Sequence, residues 1–180
     1  MGKVNAGPRA IKVNRAAVLT LWAAVVAERL GFRREEALTL GRAVAGLNAY
    51  AKGVSLGLFT PTPKEVREQR KKLRPRATIT IDLLQRAVAA VHTADGLRAL
   101  AKGRPIDPAA VDRYLISKFG DAYRAVYGAM STLARSRKPA DLASQAYVLY
   151  EQFRPAVPAG VKGWGAAGVL SLDTIRGLAR

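Results

Sequence analysis

Residues 79–103 read ITIDLLQRAVAAVHTADGLRALAKG, where a short extended signal runs into a longer helical one. Thr78 to Ile81 alternates Thr and Ile, which is an extended pattern. No second strand signal stands nearby for it to pair with, so it reads as an extended lead-in. Asp82 and Gln85 then have capping-box spacing, and Leu83, Leu84, Ala87, Val88 and Val91 follow at helical intervals. The pattern predicts a helix over 83–102 that bends near Gly96 and stops before Gly103.

The remaining signals are also helical. Asn14 caps a predicted helix over 15–30, apolar on so many sides that it belongs at the centre of the core. Gly31 ends it, and a second helix follows over 34–52, with Glu35 and Glu36 in its first turn and Gly53 beyond its end. Gly41, Ala45, Gly46 and Ala49 let that helix approach a neighbour closely. Thr62, Pro63 and Glu65 open a short helix over 63–73, and Asp107 with Pro108 opens another over 108–119. Gly120 separates the latter from a helix over 122–135, and further helices are expected over 139–153 and 171–178. The expectation is therefore an all-α protein, one compact domain of six to eight helices over 14–153. A basic arm over 1–13 precedes it and a Gly/Pro-rich tail over 154–180 follows. The basic linker helix of 60–76 lies inside the domain.

Two further patterns occur in the chain. GLNAYAKG at 46–53 and GLRALAKG at 96–103 share six of eight residues, as a duplication would give, although their flanks do not align. Gly163 to Gly168 fits G-x-G-x-x-G, but Pro155 and Pro158 stand where a strand should precede a dinucleotide loop. A structural glycine loop anchored by Trp164 accounts for it.

Charge carries the functional expectation. The 180 residues include 30 Lys and Arg against 13 Asp and Glu, a net charge of +17. Self-repulsion of that size favours a polyanionic partner. The excess is densest in 60–76, where Lys64, Arg67, Lys71 and Arg74 form a stripe on the predicted helix, widened by Arg70, Lys72 and Arg76. The absence of cysteine excludes disulfides, thiolate metal sites and a cysteine nucleophile. His92 is the only histidine and the acids are mostly isolated, so no catalytic residue, metal site or cofactor is expected. Lys3, Arg9, Lys12 and Arg15 before the apolar run Ala16–Ala27 outline a signal peptide. The continuing pattern through Arg29 to Gly31 favours a core helix instead. Twelve apolar residues fall short of the roughly 20 a membrane span requires. The expected compartment is the cytoplasm, at the nucleoid if the partner is DNA.

The run YLISKFGDAYRAVYGAMSTLA, within 111–134, resembles the helix-turn-helix of GntR-type and related winged-helix regulators. Phe119 and Gly120 stand at the turn, with Val126, Ala129, Met130 and Leu133 on the buried face of the second helix. Asp121 and Ala122 depart from the usual apolar residue and Ser, and no strand pair follows to form a wing. The resemblance implies that the helix 122–135 enters the major groove with Tyr123, Arg124 and Tyr127 facing the bases. Arg124 would read guanine, while Lys118, Arg135, Arg137 and Lys138 would contact phosphates. The alternative is an ordinary helical hairpin with Tyr123 and Tyr127 packed inward.

Taken together, the sequence predicts a non-enzymatic nucleic-acid-binding protein, DNA before RNA because its aromatic residues are not interleaved with the basic cluster. The alternative is a helical adaptor or scaffold whose basic surface binds an acidic protein.

Overall fold

The computed structural model describes residues 10–55, 57, 60–73 (backbone only at 71 and 73), 77–161 and 165–180. It begins with strand β1 (Ala10–Asn14), which runs antiparallel to β6 (Ala167–Ser171) with Ala10 opposite Ser171 and Asn14 opposite Ala167. Residues 10–13, expected in an irregular arm, are thus joined to the tail. Helix α1 (Arg15–Arg29) follows directly, and the Asn14 side chain accepts a 2.8 Å hydrogen bond from the Ala17 N–H. Every residue from Ala17 to Ala27 is buried. This is why its apolar pattern runs nearly all the way round: α1 is enclosed by other helices and has no solvent face to keep polar.

Helix α2 (Arg34–Ser55) packs along α1. A Cβ on Gly41 would clash with the Thr20 carbonyl oxygen, so glycine is required for the backbones to come this close. Helices α4 (Pro108–Phe119), α5 (Tyr123–Arg135) and α6 (Pro139–Phe153) complete the enclosure, and α7 (Leu172–Leu178) closes over α5 and α6. Trp22 fixes the packing of α1 against α6. Its indole Nε1 donates to the Ala146 carbonyl at 2.8 Å, and its ring meets Phe153 edge-on at 5.3 Å. Helix α3 (Lys64–Leu73) stands apart on the surface, with all its described side chains exposed.

The expected all-α class is wrong, because residues 79–105 form an antiparallel sheet. Strands β2 (Ile79–Leu83), β3 (Arg86–Thr93), β4 (Gly96–Ala101) and β5 (Arg104–Pro105) pair in sequence order, and the predicted helix over 83–102 does not exist. Pleat alternation explains the pattern as well as helical spacing does. Ile81, Leu83, Val88, Ala90, Leu97 and Ala99 pack in or against the core, with Ile81 opposite Val88 and Ala90 opposite Ala99. The apparent capping box is a two-residue hairpin turn, with Leu84 and Gln85 at φ 46° and 62°. Burial of Leu84 offsets the cost of that backbone.

The repeated octapeptides also separate here. Residues 46–53 are helical in α2, whereas 96–103 form β4 and the turn that follows it. Six shared residues therefore specify no common structure, because neighbouring elements decide which ladder their backbone joins. Trp164 lies outside the described residues. Gly168 packs against the chain at Ala156, whose carbonyl oxygen would be 2.7 Å from an added Cβ.

Candidate nucleic-acid interface

The two ends of α2 differ in charge chemistry. At the N-terminal end, acids and cations neutralise one another. Arg34 lies 3.4 Å from Glu28 and 3.1 Å from Asp112, Arg33 pairs with Glu36, and Arg98 reaches Glu35 at 3.3 Å. Arg98 is only 7 % exposed, and it also donates to the carbonyls of Leu97 and Asp95.

The same end fastens the sheet. Strand β5 is too short to cover the edge of β4, and side chains from α2 take over. Glu36 accepts the Leu97 N–H at 2.8 Å, and the Thr39 hydroxyl accepts that of Ala99 at 3.0 Å. The Leu97 N–H is the main reason the Glu36 carboxyl titrates below its ordinary range. Partial burial opposes the fall, and the Arg33 N–H and guanidinium reinforce it. Gly96, at φ 115°, sits against the Arg33 guanidinium.

Further along α2 the surroundings become basic. A groove of about 640 Å³ opens between α2, α3 and the sheet, and Arg42, Arg70 and Lys102 enter it from α2, α3 and the β4–β5 turn. No carboxylate is among its lining residues, and these three cations are in no ion pair among the described residues. Arg42 instead stacks over the Tyr114 ring at 5.1 Å. The acids of α3, Glu65 and Glu68, fall by helical spacing on the side of that helix opposite Arg70. Asp82, cross-strand from Ala87, is exposed outside the lining.

Between the cations the lining is small or apolar, with Thr80, Ala87, Ala89 and Leu100 from the sheet and Ala43, Gly46 and Leu47 from α2. The turn that presents Lys102 is a second two-residue hairpin, with Lys102 and Gly103 at φ 52° and 79°. Tyr50, one turn beyond Leu47, accepts the Thr62 N–H at 2.7 Å, which ties α2 to the start of α3. The hydrogen bonds to Thr62, with smaller help from Arg67 and Arg70, hold its phenol below the ordinary tyrosine range.

Of the residues predicted from the sequence, Arg70 joins this groove, and Lys64, Arg67 and Lys72 are exposed on the same helix. Lys71 belongs to α3 with its side chain undescribed, and Arg74 and Arg76 lie outside the described residues. The sequence reading missed Arg42 and Lys102. Arg42 carries one signal, as the only cation between Arg34 and Lys52. Lys102 carries none while 83–102 is read as helix.

The remaining predicted residues lie elsewhere. Helices α4 and α5 meet through a single 3-10 turn at Gly120–Ala122, and Val126, Ala129, Met130 and Leu133 are buried. Arg124, Lys118, Arg135 and Lys138 are exposed. Tyr123 and Tyr127 are half-buried against the paired end of α2. The Tyr123 hydroxyl accepts from Arg34 at 2.6 Å, and the Tyr127 hydroxyl donates to Glu28 at 2.8 Å. Burial, aided by Glu28, raises the Tyr127 phenol above its ordinary range. Arg137, in the connection between α5 and α6, binds Gln145 and the Leu178 carbonyl, tying that connection to α6 and α7. His92 is exposed on β3.

Among the described residues, no group of three or more His, Cys, Asp or Glu is arranged to hold a metal ion, and no helix is long and apolar enough to cross a membrane. Comparison with protein-family models, curated proteins and solved structures gives no match to this chain.

Proposed function

We propose that this protein binds nucleic acid, DNA before RNA, chiefly through phosphate contacts made by Arg42, Arg70, Lys102 and the exposed cations of α3. The observation that carries the reading is the segregation of charge. Three cations from three elements converge on a groove without a lining carboxylate, while arginines at the other end of α2 are held in ion pairs. Cations that are in no ion pair among the described residues can replace the counterions of a phosphate backbone, and that exchange drives binding.

The test is binding to a labelled random duplex and to single-stranded DNA and RNA across a salt series, with Arg42→Gln, Arg70→Gln and Lys102→Gln combined. Loss of three phosphate contacts flattens the slope of log K against log salt by about three units on duplex DNA. No binding of wild type to any of these nucleic acids at low salt would overturn the reading and give the groove to an acidic protein partner, as in the adaptor alternative.

Sequence readout by α5 is an added proposal, favoured by Arg124, which is exposed and in no ion pair among the described residues. With Tyr123 and Tyr127 engaged by Arg34 and Glu28, any base contact from this helix falls mainly to Arg124.

A further inference from the structure

The groove contains more than a phosphate site requires. A duplex presents phosphates outward and keeps its base faces stacked, so a surface that reads only its backbone needs cations and little apolar area. Here the three cations surround small and apolar side chains, and Leu47 is 40 % exposed beside them. Tyr50, 42 % exposed, lies one turn further on the same face of α2, since 43, 46, 47 and 50 are spaced at three, one and three. Its hydroxyl is tethered to Thr62 while its ring remains accessible. At about 640 Å³ the groove falls in the range of pockets that take a small molecule, whereas a duplex is far wider.

We infer that the groove holds one or two nucleotides of an unpaired strand. Bases rest on the Leu47 and Ala89 surface and against the Tyr50 ring, while Arg42, Arg70 and Lys102 bind the flanking phosphates. The inference rests on the nucleic-acid reading above and deepens it from polyanion binding to recognition of exposed bases. Folding brings Tyr50 beside the start of the basic helix, an adjacency that the order of residues in the sequence does not display.

The test compares three oligonucleotides of equal length and charge per strand: a single strand with bases, its fully abasic counterpart, and the duplex. Binding is measured by fluorescence anisotropy at several salt concentrations. The base-bearing strand is expected to bind about tenfold tighter than the abasic strand, the difference that one stacked base supplies. Leu47→Ser should remove most of that advantage and leave abasic-strand binding unchanged, whereas Tyr50→Ala should remove most of it and also weaken abasic-strand binding, because it frees the start of α3 from α2. Both side chains are exposed, and circular dichroism verifies that each variant retains the fold. Equal binding of abasic and base-bearing strands overturns the inference while leaving phosphate binding intact. So does retention of the full advantage in both variants. Failure of every nucleic acid to bind overturns the proposed function itself, so the two failures are distinguishable.

Discussion

The two ends of α2 carry similar numbers of cations and use them in opposite ways. Arg33, Arg34 and Arg98 meet Glu28, Glu35, Glu36 and Asp112, and the result joins a helix end, a sheet edge and the start of α4. Among the described residues, Arg42, Arg70 and Lys102 are in no ion pair, and they surround an open groove without a lining carboxylate. A net charge of +17 says only that cations are in excess. The fold determines where that excess is accessible, because it pairs acids with cations at one end and, at the other, leaves Glu65, Glu68 and Asp82 outside the groove lining.

The largest expected effect comes from separating these two roles. Combined Arg33→Gln, Arg34→Gln and Arg98→Gln should lower stability by about 3 kcal/mol, most of it from the buried hydrogen bonds of Arg98, with exposed pairs adding little. Its salt slope for nucleic acid should change by less than about one unit. The groove triple variant should do the reverse, altering the slope and leaving stability within about 0.5 kcal/mol. Urea denaturation of both proteins beside their binding curves tests the contrast. Equal losses of stability would erase it.

Next in size is Glu36→Ala, which leaves the Leu97 N–H without its carboxylate and should cost about 2–3 kcal/mol. The pH dependence follows from the lowered carboxyl. In the unfolded chain Glu36 titrates near its ordinary value of about 4.3, and in the fold it titrates lower. Its contribution is therefore complete above about pH 4.3 and declines as pH falls through the folded value. Glu36→Gln should reduce the acid-side loss of stability relative to wild type, measured by urea midpoints between about pH 3 and 6. An unchanged acid limb would show that Glu36 does not couple the sheet to α2.

Gly96→Ala should cost about 1–2 kcal/mol, because its φ of 115° strains any residue with a Cβ. The contact with Arg33 adds less, since that guanidinium is the far end of a flexible side chain. Thermal denaturation gives the value. A larger loss from Gly103→Ala in the Lys102 turn would reverse the ranking, as nothing lies within 4 Å of a Cβ there.

Helix starts were legible because their chemistry is local. Asn14 accepts from Ala17, Asp107 accepts from Ala109, and Pro108 and Pro139 occupy first turns, as their spacing predicts. The sheet was not legible for two physical reasons. Alanine at 87, 89, 90 and 99 suits either period, and the turn at Leu84–Gln85 lacks the Gly or Asn that marks a tight hairpin. Only long-range packing and hydrogen bonding on α2 selects the strands. The groove suffered from the same error. Arg70 was visible in a charge run, but Arg42 and Lys102 are 60 residues apart, and their convergence requires the hairpin that the helical reading removed.

The smallest expected effect is that of Arg124→Ala, and it asks whether α5 forms a third region with its own use of charge. Arg124 is exposed, so its loss should change stability by less than about 0.5 kcal/mol. Binding separates the two roles open to it. A phosphate contact would lower affinity uniformly across sequences and flatten the salt slope by about one unit. A guanine contact would cost about 1–3 kcal/mol at one base position and spare other sequences. Selection from a random duplex pool by wild type and variant distinguishes these outcomes. With Tyr123 and Tyr127 bound to the paired end of α2, loss of a preferred base in the variant alone would make α5 a reading helix supported from behind by Arg34 and Glu28. No preference in either pool would leave α4 and α5 as a packing hairpin and confine recognition to the groove.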